Sequence, residues 1–293
     1  MADELIAPPG LTPLAQGREA EVFLRADGNV VKVMRSADQE ARVRREAAAL
    51  QALADRGRLA PAFVETSEVD GRPALVSERV SGDDLLSRLS KKPWLVLNVA
   101  STLGRAHAAM HGHLAPDTLP DLRDELARRI ESAKALPAHH ATAALERLWA
   151  LPAGDRLCHG DYHPQNVLGT LKEPVIIDWG DASRGAPTAD VARTLLLLRI
   201  GELPPDTPAP MRALTAVGRG ILARRYLAVY RRHTGEKPSQ LDDWLYVRAA
   251  ARFNEELEAE YPRLSKLLDE SPHAATPANR TKTGPQIRRE IEK

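Results

Sequence analysis

The sequence predicts an α+β chain of two lobes, a small antiparallel sheet carrying one helix followed by a larger, mainly helical lobe. Three observations carry this. Before residue 81 the apolar residues come in short β-favouring runs punctuated by Asp and Gly. From Trp94 onward, stretches rich in Leu, Ala and Arg take the helical period. Two short apolar runs near residues 167 and 175 then interrupt the helices. At 293 residues and 43% hydrophobic content, the chain holds enough apolar material for two lobes around a cleft. The lobes are expected over 1–80 and 81–271, and the polar tail 272–293, poor in large apolar residues, is expected to be loosely ordered.

Taken in order, the Pro-rich start gives way to residues 21–35 (EVFLRADGNVVKVMR), a hairpin whose turn is Asp27-Gly28-Asn29. Residues 38–56 form a helix in pattern, with Val43, Ala47 and Leu50 on one face and Gly57 as a stop. Strands over 62–68 and 73–80 are joined by Asp70-Gly71. In the second lobe, 94–111 and 121–149 are helical in pattern, with Pro120, Pro137 and Pro152 as punctuation. Val167-Leu168 and Val175-Ile176-Ile177 flank Lys172-Glu173-Pro174 as a small hairpin. Helices are expected over 188–200, 210–232 and 241–268. No internal repeat is visible.

Composition narrows the function. Lys plus Arg number 41 against 40 Asp plus Glu, a net charge of +1, so no global field selects nucleic acid or an anionic membrane as partner. A single cysteine, Cys158, excludes an internal disulfide framework or a Cys-rich zinc site. The opening MADELIAPPG has neither a basic nor an apolar leader pattern, and no window approaches a membrane span. A soluble, cytoplasmic protein is expected.

The chemistry concentrates in HGDYHPQNVL (159–168) and VIIDWGDA (175–182). Asp161 and Asn166 are five apart, and Asp178 follows twelve residues later. Oxygen ligands spaced in this way converge on a small octahedral cation that keeps some of its waters. Each residue alone is also an ordinary turn or cap former, but the trio within these two motifs favours a site. His159 is better suited to orienting backbone than to reacting. His163 has two open readings, a ring N–H to a transferring phosphoryl group or simple turn packing. Cys158 reads as buried filler.

These motifs closely resemble the aminoglycoside phosphotransferase and choline kinase-like family, whose fold is that of the protein kinases. The resemblance spans roughly residues 12–265. It implies a cleft that binds ATP between a five-stranded N-terminal lobe and a helical C-terminal lobe, with Asp161 as the catalytic aspartate and Asn166 and Asp178 as magnesium ligands. It implies that Lys32, in VVKVM, pairs the α- and β-phosphates and that Glu46, in RREAAAL, is its helix partner; by themselves a solvated lysine and an ordinary helix glutamate would be the plainer readings. Backbone groups of Glu78 and Val80, in SERV, would meet adenine. The phosphate-covering loop QGREAE has one glycine, Gly17, where several ease close backbone approach, and Arg18 is a candidate for compensating charge. Asp190 is expected to cap or anchor its helix, and Asp181 to line the acceptor side.

The implied function is phosphoryl transfer from ATP, with Mg2+, to a hydroxyl of a small molecule: an aminoglycoside or other antibiotic, an amino alcohol, or a sugar. A nucleotide-binding pseudokinase or scaffold is the alternative, favoured by the reduced glycine loop, and transfer to a protein side chain is a third. The acceptor pocket is expected from 95–150 and 188–268. There Glu255, Glu256, Glu258 and Glu260 suit a polycation or are a solvated helix face, and Arg193, Arg199 and Arg212 suit an acidic acceptor. The sequence is silent on oligomeric state.

Overall fold

The computed structural model describes residues 7–17, 19–54, 57–200, 209–235 and 238–271, with side chains undescribed over 209–216. The first lobe runs β1 (Leu11–Gln16), β2 (Ala20–Arg25), β3 (Val30–Met34), α1 (Glu40–Leu53), β4 (Phe63–Val69) and β5 (Arg72–Ser77). The strands form one antiparallel sheet in the order β1-β2-β3-β5-β4. Strand alternation assigns the two faces. Val31 and Val33 pack with Phe23, Ala74 and Val76 in a cluster of their own, while Met34 and Leu75 join Val43, Ala47 and Leu50 of α1 in the main core. Lys32, paired with Val22 and Leu75, shares the second face and so points toward α1.

Strand β1 was not legible in LTPLAQ. Pro13 cannot donate to a ladder, and it is tolerated here because β1 lies at the sheet edge and its register shifts between Pro13 and Ala15. The end of the predicted helix at 55–56 and the tail 272–293 lie outside the described residues.

The second lobe begins with α2 (Leu85–Lys91), α3 (Val96–Met110), α4 (Leu122–Ser132) and α5 (Ala138–Ala150). Asp84 caps α2 by accepting from the Leu86 and Ser87 N–H groups, and Asp121 caps α4 through Arg123 and Asp124. Next come β6 (Arg156–Cys158), β7 (Val167–Gly169), β8 (Pro174–Ile176) and β9 (Ser183–Gly185). β7 and β8 form the expected hairpin, whereas β6 pairs with β9. The remaining elements are α6 (Pro187–Ile200), α7 (Ala209–Thr234), α8 (Leu241–Arg252) and α9 (Tyr261–Glu270).

The stretch 241–268 is therefore two helices, not one. After Arg252 the chain makes a 3-10 turn, Glu256 takes a left-handed φ of 54°, and Pro262 sits in the first turn of α9. The stretch 121–149 is divided at Pro137, one of the expected punctuation points, and α2 is an element the sequence pattern did not reveal. Among the described residues no helix is long and apolar enough to cross a membrane. The bulkiest buried side chains, Trp179, Trp244, Tyr162, Tyr226 and Tyr246, all belong to the second lobe, and Tyr162 and Trp179 lie within the two motifs.

Candidate active site

The loop after β6 is held from beneath by Asp190 of α6, a fully buried carboxylate. It accepts from the backbone N–H groups of His159 (2.7 Å) and Gly160 (2.9 Å). It also lies 3.1 Å from His107 Nε2 and 3.4 Å from His111 Nε2. Both rings are oriented at their other nitrogen, by the Tyr226 and Tyr230 hydroxyls at 2.6 and 2.8 Å. Burial pulls the Asp190 pKa up, yet the hydrogen bonds from His107 and His111 hold it well below the carboxylate range. Burial pushes His107 down to about 3, so this imidazole stays neutral. A neutral His107 with Nε2–H donating to Asp190 and Nδ1 accepting from the Tyr226 hydroxyl satisfies both of its partners. Asp190 thus anchors the loop, not its own helix. Gly160 is required at its place: φ is +83°, and a Cβ would stand 2.4 Å from the Asp181 carbonyl oxygen.

On that loop Asp161 meets Arg193 Nη2 at 2.9 Å through Oδ1 and His163 Nε2 at 3.3 Å through Oδ2. Arg193, itself buried, also donates to the Gly160 carbonyl at 3.2 Å. Burial raises the Asp161 pKa, but the hydrogen bond from His163 and the charge of Arg193 hold it far below the usual range. Asp161 is therefore ionised at any working pH. His163 accepts from the Gln165 N–H at Nδ1, so its Nε2 carries the proton that faces Asp161. The turn-packing reading of His163 describes this arrangement, in which the ring N–H faces Asp161.

Asn166 donates through Nδ2 to the Asp161 carbonyl at 3.0 Å, which turns its side-chain oxygen away from that bond. Its own carbonyl accepts from the Ile177 N–H at 3.0 Å, and His159 Nε2 donates to the Ile177 carbonyl at 2.9 Å. The β7–β8 hairpin thereby brings Asp178 alongside the loop. Asp178 has a φ of 65°, a conformation costly for a non-glycine residue and maintained by these bonds. His159 is a backbone organiser, as expected. Cys158 is buried and its thiol is pushed up by burial, which suits inert filler.

From the first lobe, Lys32 Nζ reaches Glu46 Oε2 at 2.8 Å and Asp178 Oδ1 at 2.6 Å. Burial lowers the lysine pKa, and the charges of Glu46 and Asp178 more than restore it. After β5 the Glu78 N–H donates to the Ala62 carbonyl at 2.8 Å, so that N–H is already satisfied within the protein. Gly17 donates to the Ala20 carbonyl at 2.8 Å, closing a tight turn between β1 and β2. Arg18 lies outside the described residues.

The model of the phosphotransferase enzyme family matches residues 10–235. The chain belongs to that family. Among solved structures it is similar to an aminoglycoside-3′-phosphotransferase of type VIII, with 22% identity, a TM-score of 0.60, and coverage of 84% of this chain and 94% of that one. It is also similar to the GDP complex of a mutant aminoglycoside 2′-phosphotransferase-IIIa (17% identity, TM-score 0.58, 91% and 90% covered). A streptomycin–ATP ternary complex of APH(2″)-IIa is similar at 17% identity and a TM-score of 0.57, covering 89% and 91%. No curated relative matches. At these identities the neighbours establish the fold, shared with the aminoglycoside phosphotransferases, while the family match makes the chain a phosphotransferase.

The phosphotransferase has further charged residues that sequence reasoning did not pick out. Arg42 of α1 pairs with Glu19 at 2.6 Å and with Asp181 at 3.2 Å, and Arg129 of α4 pairs with Asp181 at 2.6 Å. Arg45 of α1 pairs with Glu125 of α4 at 2.6 Å. These bonds tie α1 to the second lobe. Arg193 also holds Glu255 at 2.8 Å, so its guanidinium is shared between two of the protein's own carboxylates. Glu255 and Glu260 pair with Arg252, while Glu256 and Glu258 are exposed. The acidic run is thus split between internal and solvated carboxylates. The histidine anchor had a trace in sequence: His107 in α3 and His111 at its C-cap, and Tyr226 and Tyr230 in α7, are each spaced by one helical turn.

Proposed function

We propose that this phosphotransferase moves the γ-phosphate of ATP, with magnesium, to a hydroxyl of a small molecule in the cytoplasm. The observation that carries the reading is the joining of Lys32 and Glu46 from the first lobe to Asp178 of the second, beside the loop that presents Asp161 and Asn166. The donor set suits magnesium: the Asp178 carboxylate and the Asn166 side-chain oxygen are hard ligands on two segments fixed to one another. Bound there, the ion would neutralise charge on the β- and γ-phosphate oxygens.

The protein's own groups do the rest by position. Lys32, held by Glu46, takes the α- and β-phosphates, and Asp178, with Asn166, would hold the magnesium ion. The Glu78 carbonyl and Val80 backbone receive adenine, and the Gly17 turn covers the phosphates. Asp161 accepts the acceptor hydroxyl's proton as its oxygen bonds to the γ-phosphorus; the bond to the β–γ bridging oxygen breaks and ADP leaves. Arg193 fixes Oδ1 of Asp161 and His163 faces Oδ2, whose second lone pair takes the proton. His163 supplies a ring N–H beside the reacting oxygens.

The test is ADP release and product mass across aminoglycosides, sugars and amino alcohols with ATP and magnesium. Acceptor-dependent release is the expected result. Tight ATP binding with no product, unchanged in Asp161→Ala, would indicate a nucleotide-binding scaffold instead.

A further inference from the structure

Resting on the reaction proposed above, we infer that the acceptor is a neutral polyhydroxy compound and not a polyammonium one, because among the described residues the carboxylates Asp161, Asp181, Glu255 and Glu260 are already neutralised by arginines. A polycation is held by carboxylates that lack another counter-ion. Asp161 is bound by Arg193 at 2.9 Å, and Arg193 spans to Glu255 at 2.8 Å, so the two carboxylates stand one guanidinium apart. Glu255 is also bonded to Arg252, which donates to both oxygens of Glu260 at 2.8 and 2.9 Å. Asp181, on which the charge of Asp161 acts, is bound by Arg42 and by Arg129. Each of Asp161, Asp181, Glu255 and Glu260 therefore has at least one guanidinium, and the cluster is close to neutral.

For an ammonium group to bind one of these carboxylates, it must displace an arginine that has nowhere wet to go. Arg193 is 5% exposed, and the Arg252 side chain 10%. Stripping a partner from a buried pair leaves an uncompensated charge, so the exchange is disfavoured. Glu256 and Glu258 have no ion pair among the described residues, but they are exposed, where screening lets them steer a cation without holding it. Hydroxyl groups suit the same wall well. Each donates and accepts, and an arginine–carboxylate edge offers both an N–H and a spare oxygen lone pair.

The experiment has two arms on the full chain. In the first, kcat/KM is measured by ADP release at low and high sodium chloride for a neutral set (glucose, myo-inositol), an anionic set (gluconate) and a polyammonium set (kanamycin, streptomycin). The best neutral acceptor is expected to exceed the best polyammonium one by about tenfold or more, with a KM that salt leaves within about twofold. A polyammonium acceptor that ranks first with a KM rising steeply with salt overturns the inference, and so does an anion that ranks first. In the second arm, kanamycin is titrated calorimetrically into the protein with magnesium and a non-hydrolysable ATP analogue. Wild type is expected to show no saturable binding at micromolar concentration, and Arg252→Gln, which strips a counter-ion from Glu255 and Glu260, to show saturable binding where wild type shows none. Micromolar 1:1 binding by wild type overturns the inference. ADP release with no acceptor at all would overturn the proposed reaction instead, and the titration would still decide the charge class.

Discussion

Asp161 works at the residue scale through its neighbours: Arg193 and His163 each take one carboxylate oxygen, and both keep the group ionised. Its folded pKa lies below the unfolded value of about 3.9, so it stays a base at every pH above that value and its charge is lost only as pH falls through the folded value. No acid limb in kcat between pH 7 and 5 is expected from Asp161; an apparent pKa in that window that Asp161→Asn abolishes would contradict the assignment. Asp178→Ala should remove the response of ATP binding to magnesium, measured by titration with and without the ion. Asp190 follows the same sign as Asp161. Its pKa is depressed, so its stabilisation is complete above about pH 4 and fades as pH falls further. Asp190→Ala leaves two backbone N–H groups and two histidines without their acceptor, and should cost more than about 3 kcal/mol at neutral pH, read as a fall in urea midpoint.

Among the elements, the first lobe and the β7–β8 hairpin were legible because hairpins write their turns as Asp-Gly or as a Pro-flanked polar run, and because Val43, Ala47 and Leu50 repeat at helical spacing. β1 was hidden by Pro13, and α2 by having only seven residues and one buried side chain, Leu85. The break between α8 and α9 was hidden because its residues are good helix formers, and the left-handed Glu256 carries no turn signature. Packing makes one demand that no pattern reveals: a Cβ on Gly104 of α3 would come within 2.7 Å of the Tyr226 carbonyl oxygen of α7. Since α7 also supplies the tyrosines that orient His107 and His111, Gly104→Ala should loosen the loop anchor. A loss of about 1–3 kcal/mol in stability, with faster hydrogen exchange at His159 and Gly160, is the expected outcome.

For the whole molecule, the motifs 159–168 and 175–182 were readable as a site because their chemistry is local in sequence, and Lys32 and Glu46 emerged through the family's pattern. The arginines were not readable, since Arg42, Arg129 and Arg193 gain their partners only when α1, α4 and α6 meet around the loop. The pairs Arg42–Asp181 and Arg45–Glu125 join the lobes. Replacing both arginines by Ala should raise the KM for ATP more than it lowers kcat, because α1 carries the glutamate that holds Lys32; an unchanged KM would count against that coupling. The central claim is that Asp161 performs the transfer while the remaining groups hold the nucleotide. Its most direct test is Asp161→Asn, with ATP affinity and acceptor-dependent ADP release measured on the same preparation. The account predicts affinity within about threefold of wild type and turnover lower by about 10²–10⁴-fold; wild-type turnover in that variant would contradict it.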